Sequence, residues 1–161
     1  MVRMLIWLLG LVAIGSPTWA IAADAAPEKD ERPPHQVVAI YFHRTVRCAT
    51  CKRIGAMAEE AITAGFESQI ESREVEFHFV DFQDKKNAEL VKAYRIDSPT
   101  LVLANVYDAE TICWIPMPKV WQLVGKPDDF RAYVQEGVVR YLTQSREDAE
   151  QEREDSQESP K

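Results

Sequence analysis

Tyr41-Phe42-His43-Arg44-Thr45-Val46-Arg47-Cys48-Ala49-Thr50-Cys51-Lys52-Arg53 reads as the end of a buried strand, a short polar loop, and two cysteines at C-x-x-C spacing that open a helix. Two thiols three positions apart at a helix N-terminus can close a small disulfide ring. The unpaired N–H groups and positive dipole end at that place favour a thiolate. This is the pattern of a dithiol switch. Upstream, Val37-Val38-Ala39-Ile40-Tyr41-Phe42 is a continuous apolar run of strand length, which suits a strand covered on both faces. Downstream, Ile54, Met57, Ala58, Ala61, Ile62, Phe66 and Ile70 recur at helical spacing, which predicts one helix with Cys48 in its first turn and Cys51 a turn deeper.

Further along, Val75 to Phe82 alternates as a second strand, with Val75, Phe77 and Phe79 on one face, and Asp84 to Tyr94 returns to helical spacing. Strand, helix, strand at these lengths calls for a right-handed crossover in a parallel sheet. Ile96-Asp97-Ser98-Pro99-Thr100 then punctuates the chain before the strand Leu101-Val102-Leu103. Thr111-Ile112-Cys113-Trp114-Ile115 is another apolar, strand-like run, and its odd cysteine is expected to be buried. Pro127-Asp128-Asp129 opens a last helix with proline and acids in the first turn, its apolar face formed by Phe130, Tyr133, Val134, Val138, Tyr141 and Leu142.

At 161 residues, 46% hydrophobic and 28% charged, the chain has room for one domain and some tail. Its formal charge is −7, yet Arg44, Arg47, Lys52 and Arg53 crowd around the cysteines with no acid between them. A net acidic chain with a basic active edge argues against general nucleic-acid binding. Those charges serve as a solvated loop, as local tuning of a thiol, or as attraction for an anionic partner. No G-x-G-x-x-G is present, so no flavin or dinucleotide phosphate loop is visible.

The N-terminus has the layout of a secretory signal: Arg3, an apolar run from Met4 to Ile14, then a small-x-small site at Ala20-Ile21-Ala22. The expected organisation is a signal peptide over 1–22, a proline-bearing linker over 23–35, a domain over 36–143, and an acidic, disordered tail over 144–161. Export to the periplasm or the extracellular space favours a redox-active or oxidised C-x-x-C over a zinc knuckle, and implies no stable membrane insertion once the signal is removed.

A strand, a C-x-x-C at a helix start, a strand, a helix and an x-Pro-Thr before another strand resemble the thioredoxin fold, a central mixed sheet flanked by helices. The likeness covers roughly Gln36 to Thr143. It implies that Pro99 is a cis-proline beside the cysteines and that Ser98 faces an extended substrate. It also implies that Val120-Trp121-Gln122-Leu123-Val124-Gly125 is the last edge strand. Between Pro99 and Gly125 the chain is longer than such a hairpin usually needs, so an extended loop or an enlarged hairpin is expected, its excess including Ile115-Pro116-Met117-Pro118. More narrowly, Tyr41-Phe42-His43 followed by Arg47-Cys48-Ala49-Thr50-Cys51 is similar to the exported proteins labelled the nitrophenyl compound nitroreductase subunit ArsF family. The chain departs from thioredoxin in three places. Arg47 stands where a tryptophan precedes the first cysteine, Ala49-Thr50 replaces Gly-Pro, and Phe42 replaces a buried aspartate.

These features together lead to a thiol-disulfide oxidoreductase acting on protein thiols or disulfides, with no cofactor beyond the Cys48–Cys51 pair and with a separate partner that recharges it. Cys48 is expected to attack and Cys51 to resolve, with Arg47 stabilising the thiolate. His43 either shuttles a proton or is a hydrogen-bonded structural residue; His35 and His78 carry no assignment. Two other classes stay open: a thioredoxin-fold copper(I) chaperone using both thiolates and His43, and an interaction module whose disulfide is only a staple.

Overall fold

The computed structural model describes residues 32–158. The expected signal peptide and most of the linker therefore lie outside the described residues. The described chain is a mixed α/β unit built on a four-stranded sheet of order β2-β1-β3-β4. β1 is His35–His43, β2 Val75–Asp81, β3 Thr100–Tyr107 and β4 Glu110–Pro116. β1 pairs parallel with β2 and antiparallel with β3, and β4 runs antiparallel to β3. The parallel pair is joined by α1 (Ala49–Gly65) and α2 (Glu67–Glu71). A 3-10 turn at Lys85–Asn87 and α3 (Ala88–Ala93) join β2 to β3, and α4 (Val120–Leu123), α5 (Pro127–Thr143) and α6 (Arg146–Glu158) follow β4.

β1 is covered on both faces, as its unbroken apolar run predicts. Val37, Ala39 and Tyr41 point into the larger core with Ile54, Ala58 and Ile62 of α1 and Phe130, Val134 and Val138 of α5. Ile40 and Phe42 point the other way, into a second cluster with Tyr94, Val102 and Ala104. Two buried polar side chains are satisfied locally: Gln36 donates to the Arg73 carbonyl at 2.7 Å, and Asn105 meets His35 and Gln144.

The long helix expected from Cys51 to Ile70 is interrupted at Phe66, where α1 stops and α2 begins. Gln135 of α5 sits in the space beside Gly65 and donates to the Ala61 carbonyl at 2.8 Å, so the end of α1 is tied sideways to α5. The hairpin is not enlarged. β3 and β4 turn through Asp108 and Ala109 alone, both at positive φ (49° and 65°), as a two-residue type I′ turn requires. The edge strand is β4, and Val120–Leu123 is a helical turn rather than a strand. The extra length lies in the connection from Met117 to Lys126: Met117 continues the ladder by donating to the Leu101 carbonyl at 2.8 Å, and the chain then coils over Val120, which is fully buried.

The C-terminal stretch is helical through Glu158 rather than disordered. Its composition is polar, but Ala149 seats it on the domain, fully buried in the larger core. Ion pairs then fix the register: Arg146 with Asp108 at 2.7 Å, Arg140 with Glu152 at 2.9 Å and Arg153 with Glu110 at 3.6 Å. Gln144 anchors the hinge, receiving Asn105 on its side chain and Tyr107 on its carbonyl while donating to Glu152. Cys113 of β4 is buried, 6% exposed, and burial pushes its thiol pKa up.

Removing residues after Ser145 should therefore lower stability by about 1–2 kcal/mol, the scale of one small apolar contact and a few exposed ion pairs. The truncated chain should melt several degrees lower, with Cys113 newly open to alkylation. An unchanged melting temperature together with a still-protected Cys113 would show that α6 contributes nothing.

Candidate functional site

The polar loop after β1 is held by the end of β2. Phe82 donates its N–H to the His43 carbonyl at 2.9 Å, and the Thr45 N–H reaches the Gln83 side chain at 3.1 Å. Asp81 accepts from the Gln83 amide, and the Thr45 hydroxyl, that amide and the nearby His43 hold its carboxyl below the ordinary range. The loop tip, Val46, projects into solvent at 86% exposure. The chain then enters α1 with Cys48 at the N-cap in extended conformation, its sulfur accepting from the Cys51 N–H at 3.2 Å. Cys48 thus takes the place that Ser or Asp usually fills at a helix start.

The two sulfurs are 2.7 Å apart, and Cys48 is exposed while Cys51 is half-buried. This asymmetry separates their acidities. The Cys51 thiol, followed by the Cys51 amide and the next backbone N–H groups, pulls the Cys48 pKa below its ordinary value. Burial, followed by donation to Cys48, pushes Cys51 up. The first turn of α1 carries no acid to oppose a thiolate. Cys48 is thus the more acidic of the two thiols.

Arg47 does not act as the sequence suggested. Its guanidinium folds back over the Phe79 ring (5.0 Å) and towards the Tyr41 ring (5.9 Å), and its Nε is buried without a hydrogen-bond partner among the described residues. Its charge acts on Tyr41, opposing part of the rise that burial and Cys51 impose on that hydroxyl, while the groups acting on Cys48 are Cys51 and backbone amides. A cation stacked on a ring face at this distance gains from the ring quadrupole, which explains why an arginine turns inward here. His43 lies with Nδ1 2.9 Å from the Arg44 carbonyl and its ring 6.2 Å from Phe79, and it makes no hydrogen bond to either sulfur.

Ser98 and Pro99 leave the sheet at the same end as the cysteine loop, because Thr100 pairs with Phe42 at the end of β1. The Ser98–Pro99 bond is trans; no cis peptide occurs among the described residues. Local bonds already define this turn without the less favoured isomer, the Ser98 hydroxyl donating to Asp97 and the Thr100 hydroxyl to the Ser98 carbonyl. The Pro99 carbonyl is engaged as well, by the Trp121 indole N–H at 3.3 Å.

Sequence reading missed three contributors. Trp121, assigned to a strand, belongs to the helical turn that reaches Pro99. Tyr41, taken as strand filler, donates its hydroxyl to the Cys51 carbonyl at 3.0 Å, and burial, followed by Cys51, pushes its pKa up to about 12. Gly55 lets α1 approach this assembly, since a Cβ there would lie 2.7 Å from an Arg47 guanidinium nitrogen and 2.8 Å from the Phe79 ring. The one available signal was position: Tyr41 shares strand parity with Val37 and Ala39, so it had to face the helix that carries the cysteines.

Among the described residues no group of three or more His, Cys, Asp or Glu side chains is arranged to hold a metal ion, and no helix is long and apolar enough to cross a membrane. No family model matches the chain, and no curated protein matches it. Among solved structures it is similar to one described as "Structure of a malarial protein", at 17% identity and a TM-score of 0.35, over 56% of this chain and 96% of that one. A likeness of that size carries no argument about fold or function.

Tyr41→Phe should cost about 0.5–1.5 kcal/mol, the net value of one hydrogen bond, because the Cys51 carbonyl loses its donor. Thermal unfolding of the reduced protein measures this, and no loss would mean that the bond is not formed in solution. Gly55→Ala, which ordinarily gains about 0.5–1 kcal/mol inside a helix, should here be neutral or destabilising and should expel Arg47. A clear rise in melting temperature would contradict the close packing.

Proposed function

We propose that the protein is a thiol-disulfide oxidoreductase of thioredoxin-like fold that works on polypeptide substrates through Cys48 and Cys51. The observation that carries the reading is the exposed Cys48 sulfur at the N-cap of α1, its pKa lowered while that of the half-buried Cys51 is raised. The order β2-β1-β3-β4, with one parallel and two antiparallel pairings, supports the thioredoxin-like part. The basic, apolar and small-x-small order of the first 22 residues supports export.

The chemistry follows from the asymmetry. The Cys48 thiolate attacks one sulfur of a substrate disulfide, forming a mixed disulfide and expelling the other substrate sulfur as a thiolate, which takes up a proton. Cys51 then gives up its proton and attacks the Cys48 sulfur. A Cys48–Cys51 disulfide forms and the second substrate sulfur leaves as thiol, so two electrons pass from the protein to the substrate. Run backwards, the same steps oxidise a substrate dithiol. Tyr41 positions the first turn by holding the Cys51 carbonyl, so that the second attack needs little movement of the backbone.

Cys51→Ser should trap a mixed disulfide through Cys48, whereas Cys48→Ser should abolish both trapping and turnover. Since the Cys48 pKa is lowered, its alkylation should stay fast as pH falls below the ordinary thiol value of about 8.5. Full turnover by the Cys48→Ser protein would sink the reading. Tight Cu(I) binding by both thiolates without any cycling would replace it with metal carriage.

A further inference from the structure

Around the cysteines the chain presents positive charge that no acid among the described residues neutralises. Arg44 in the loop and Lys52 and Arg53 in the first turns of α1 are all exposed, and none of their side chains makes an ion pair or hydrogen bond among the described residues. The contrast is with α5 and α6, where Arg131, Arg140, Arg146 and Arg153 are all paired with acids. No Asp or Glu occurs anywhere between Arg32 and Ala58, in a chain whose formal charge is −7. Lys52 lies four residues after Cys48 and so shares its helical face. Apolar surface borders these charges: Val46 is 86% exposed beside Arg47 and Cys48, and Trp121, 39% exposed, sits on Pro99 at the same end of the sheet.

Resting on the thiol-disulfide reading, we propose that Arg44, Lys52 and Arg53, with Val46 and Trp121, form a docking surface for an acidic, extended polypeptide segment flanking the disulfide presented to Cys48. Charge complementarity selects this occupant. A second role, tuning of the thiol, is already filled, because the groups acting on Cys48 are Cys51 and backbone amides. Exposed cations at the rim of a reactive site act mainly on encounter, raising the association rate of an oppositely charged partner in a salt-dependent way. The apolar side chains add non-specific contact close to the reacting sulfur.

The test uses three synthetic peptide disulfides of identical length, in which the residues flanking the cystine are glutamates, serines or lysines. Stopped-flow oxidation of the reduced protein should be faster with the glutamate peptide than with the lysine peptide, by on the order of tenfold at low ionic strength. The three rates should converge in about 1 M salt, where the screening length falls to about 3 Å. Arg44→Glu, Lys52→Glu and Arg53→Glu combined should invert the order. Glutamines at the same positions, a milder change should the reversal fail to fold, should abolish it. Equal rates for the acidic and basic peptides in the native protein overturn the proposal while leaving the redox reading intact. No reaction even with the serine peptide overturns both. Binding to anionic phospholipid vesicles without any peptide preference would assign the charges to a membrane surface and likewise overturn it.

Discussion

Everything in this molecule hangs on a strand that has no free face. β1 is paired on both sides and buried above and below, with Val37, Ala39, Tyr41 and Phe42 all fully buried. A strand so enclosed meets solvent at its ends, and at the C-terminal one the backbone leaves the sheet and begins a helix. The cysteine pair sits at that end. A reactive thiol there inherits a rigid foundation from the core and free N–H groups from the helix start without being buried itself. The site and the fold are in this sense one constraint, since a slip of one residue in β1 would exchange its two faces and swing Tyr41 away from Cys51.

The coupling between core and site runs through Tyr41. Its ring belongs to the larger hydrophobic cluster, and its hydroxyl ends on the Cys51 carbonyl. Phe79 meets it edge-on at 6.2 Å and supports Arg47 at 5.0 Å, with Gly55 leaving the space. Arg47 is consequently part of the packing under the helix start, not part of the charge presented to solvent. This divides the four cations read from the sequence into one inward-facing stack and three outward-facing charges, a distinction that depends on side-chain direction and not on spacing.

How far the sequence could be read follows from the same distinction. The apolar run of β1 and the periodicity of α5 reported burial directly, whereas in β2 only Val75 is buried and Phe79 is 39% exposed; the N-terminal position of Cys48 followed from the strand end and the helical spacing after it. Misreadings arose where long-range contacts outweighed local pattern. Val120-Trp121-Gln122-Leu123 has apolar residues fit for a strand, yet the sheet edge was already occupied by β4 and the segment coiled instead. Tyr41 and Gly55 carry no local signature, since their roles exist only once α1 lies across β1 and β2. Ser98-Pro99 illustrates a different limit: a proline before a strand marks a turn, but its sequence does not set the isomer, which here is trans.

The acidic C-terminus shows the same competition at its most marginal. Composition alone argues that a segment so poor in apolar residues cannot offset its ordering entropy. That reasoning assumes the segment must stabilise itself, whereas α6 needs only to add to a surface the domain has already ordered. Tyr107 and Asn105 fix the hinge through Gln144, so closing the chain back on β4 costs few additional degrees of freedom, and Ala149 with three ion pairs tips the balance. The helix lies against the β4 strand that carries Cys113, where burial pushes that thiol's pKa up. Two thiols at the start of α1 remain accessible for chemistry while the third is kept protonated and covered. A third cysteine left exposed would be open to pairing with either thiol of the C-x-x-C. A polar helix of little intrinsic stability can thus be worth keeping for what it hides.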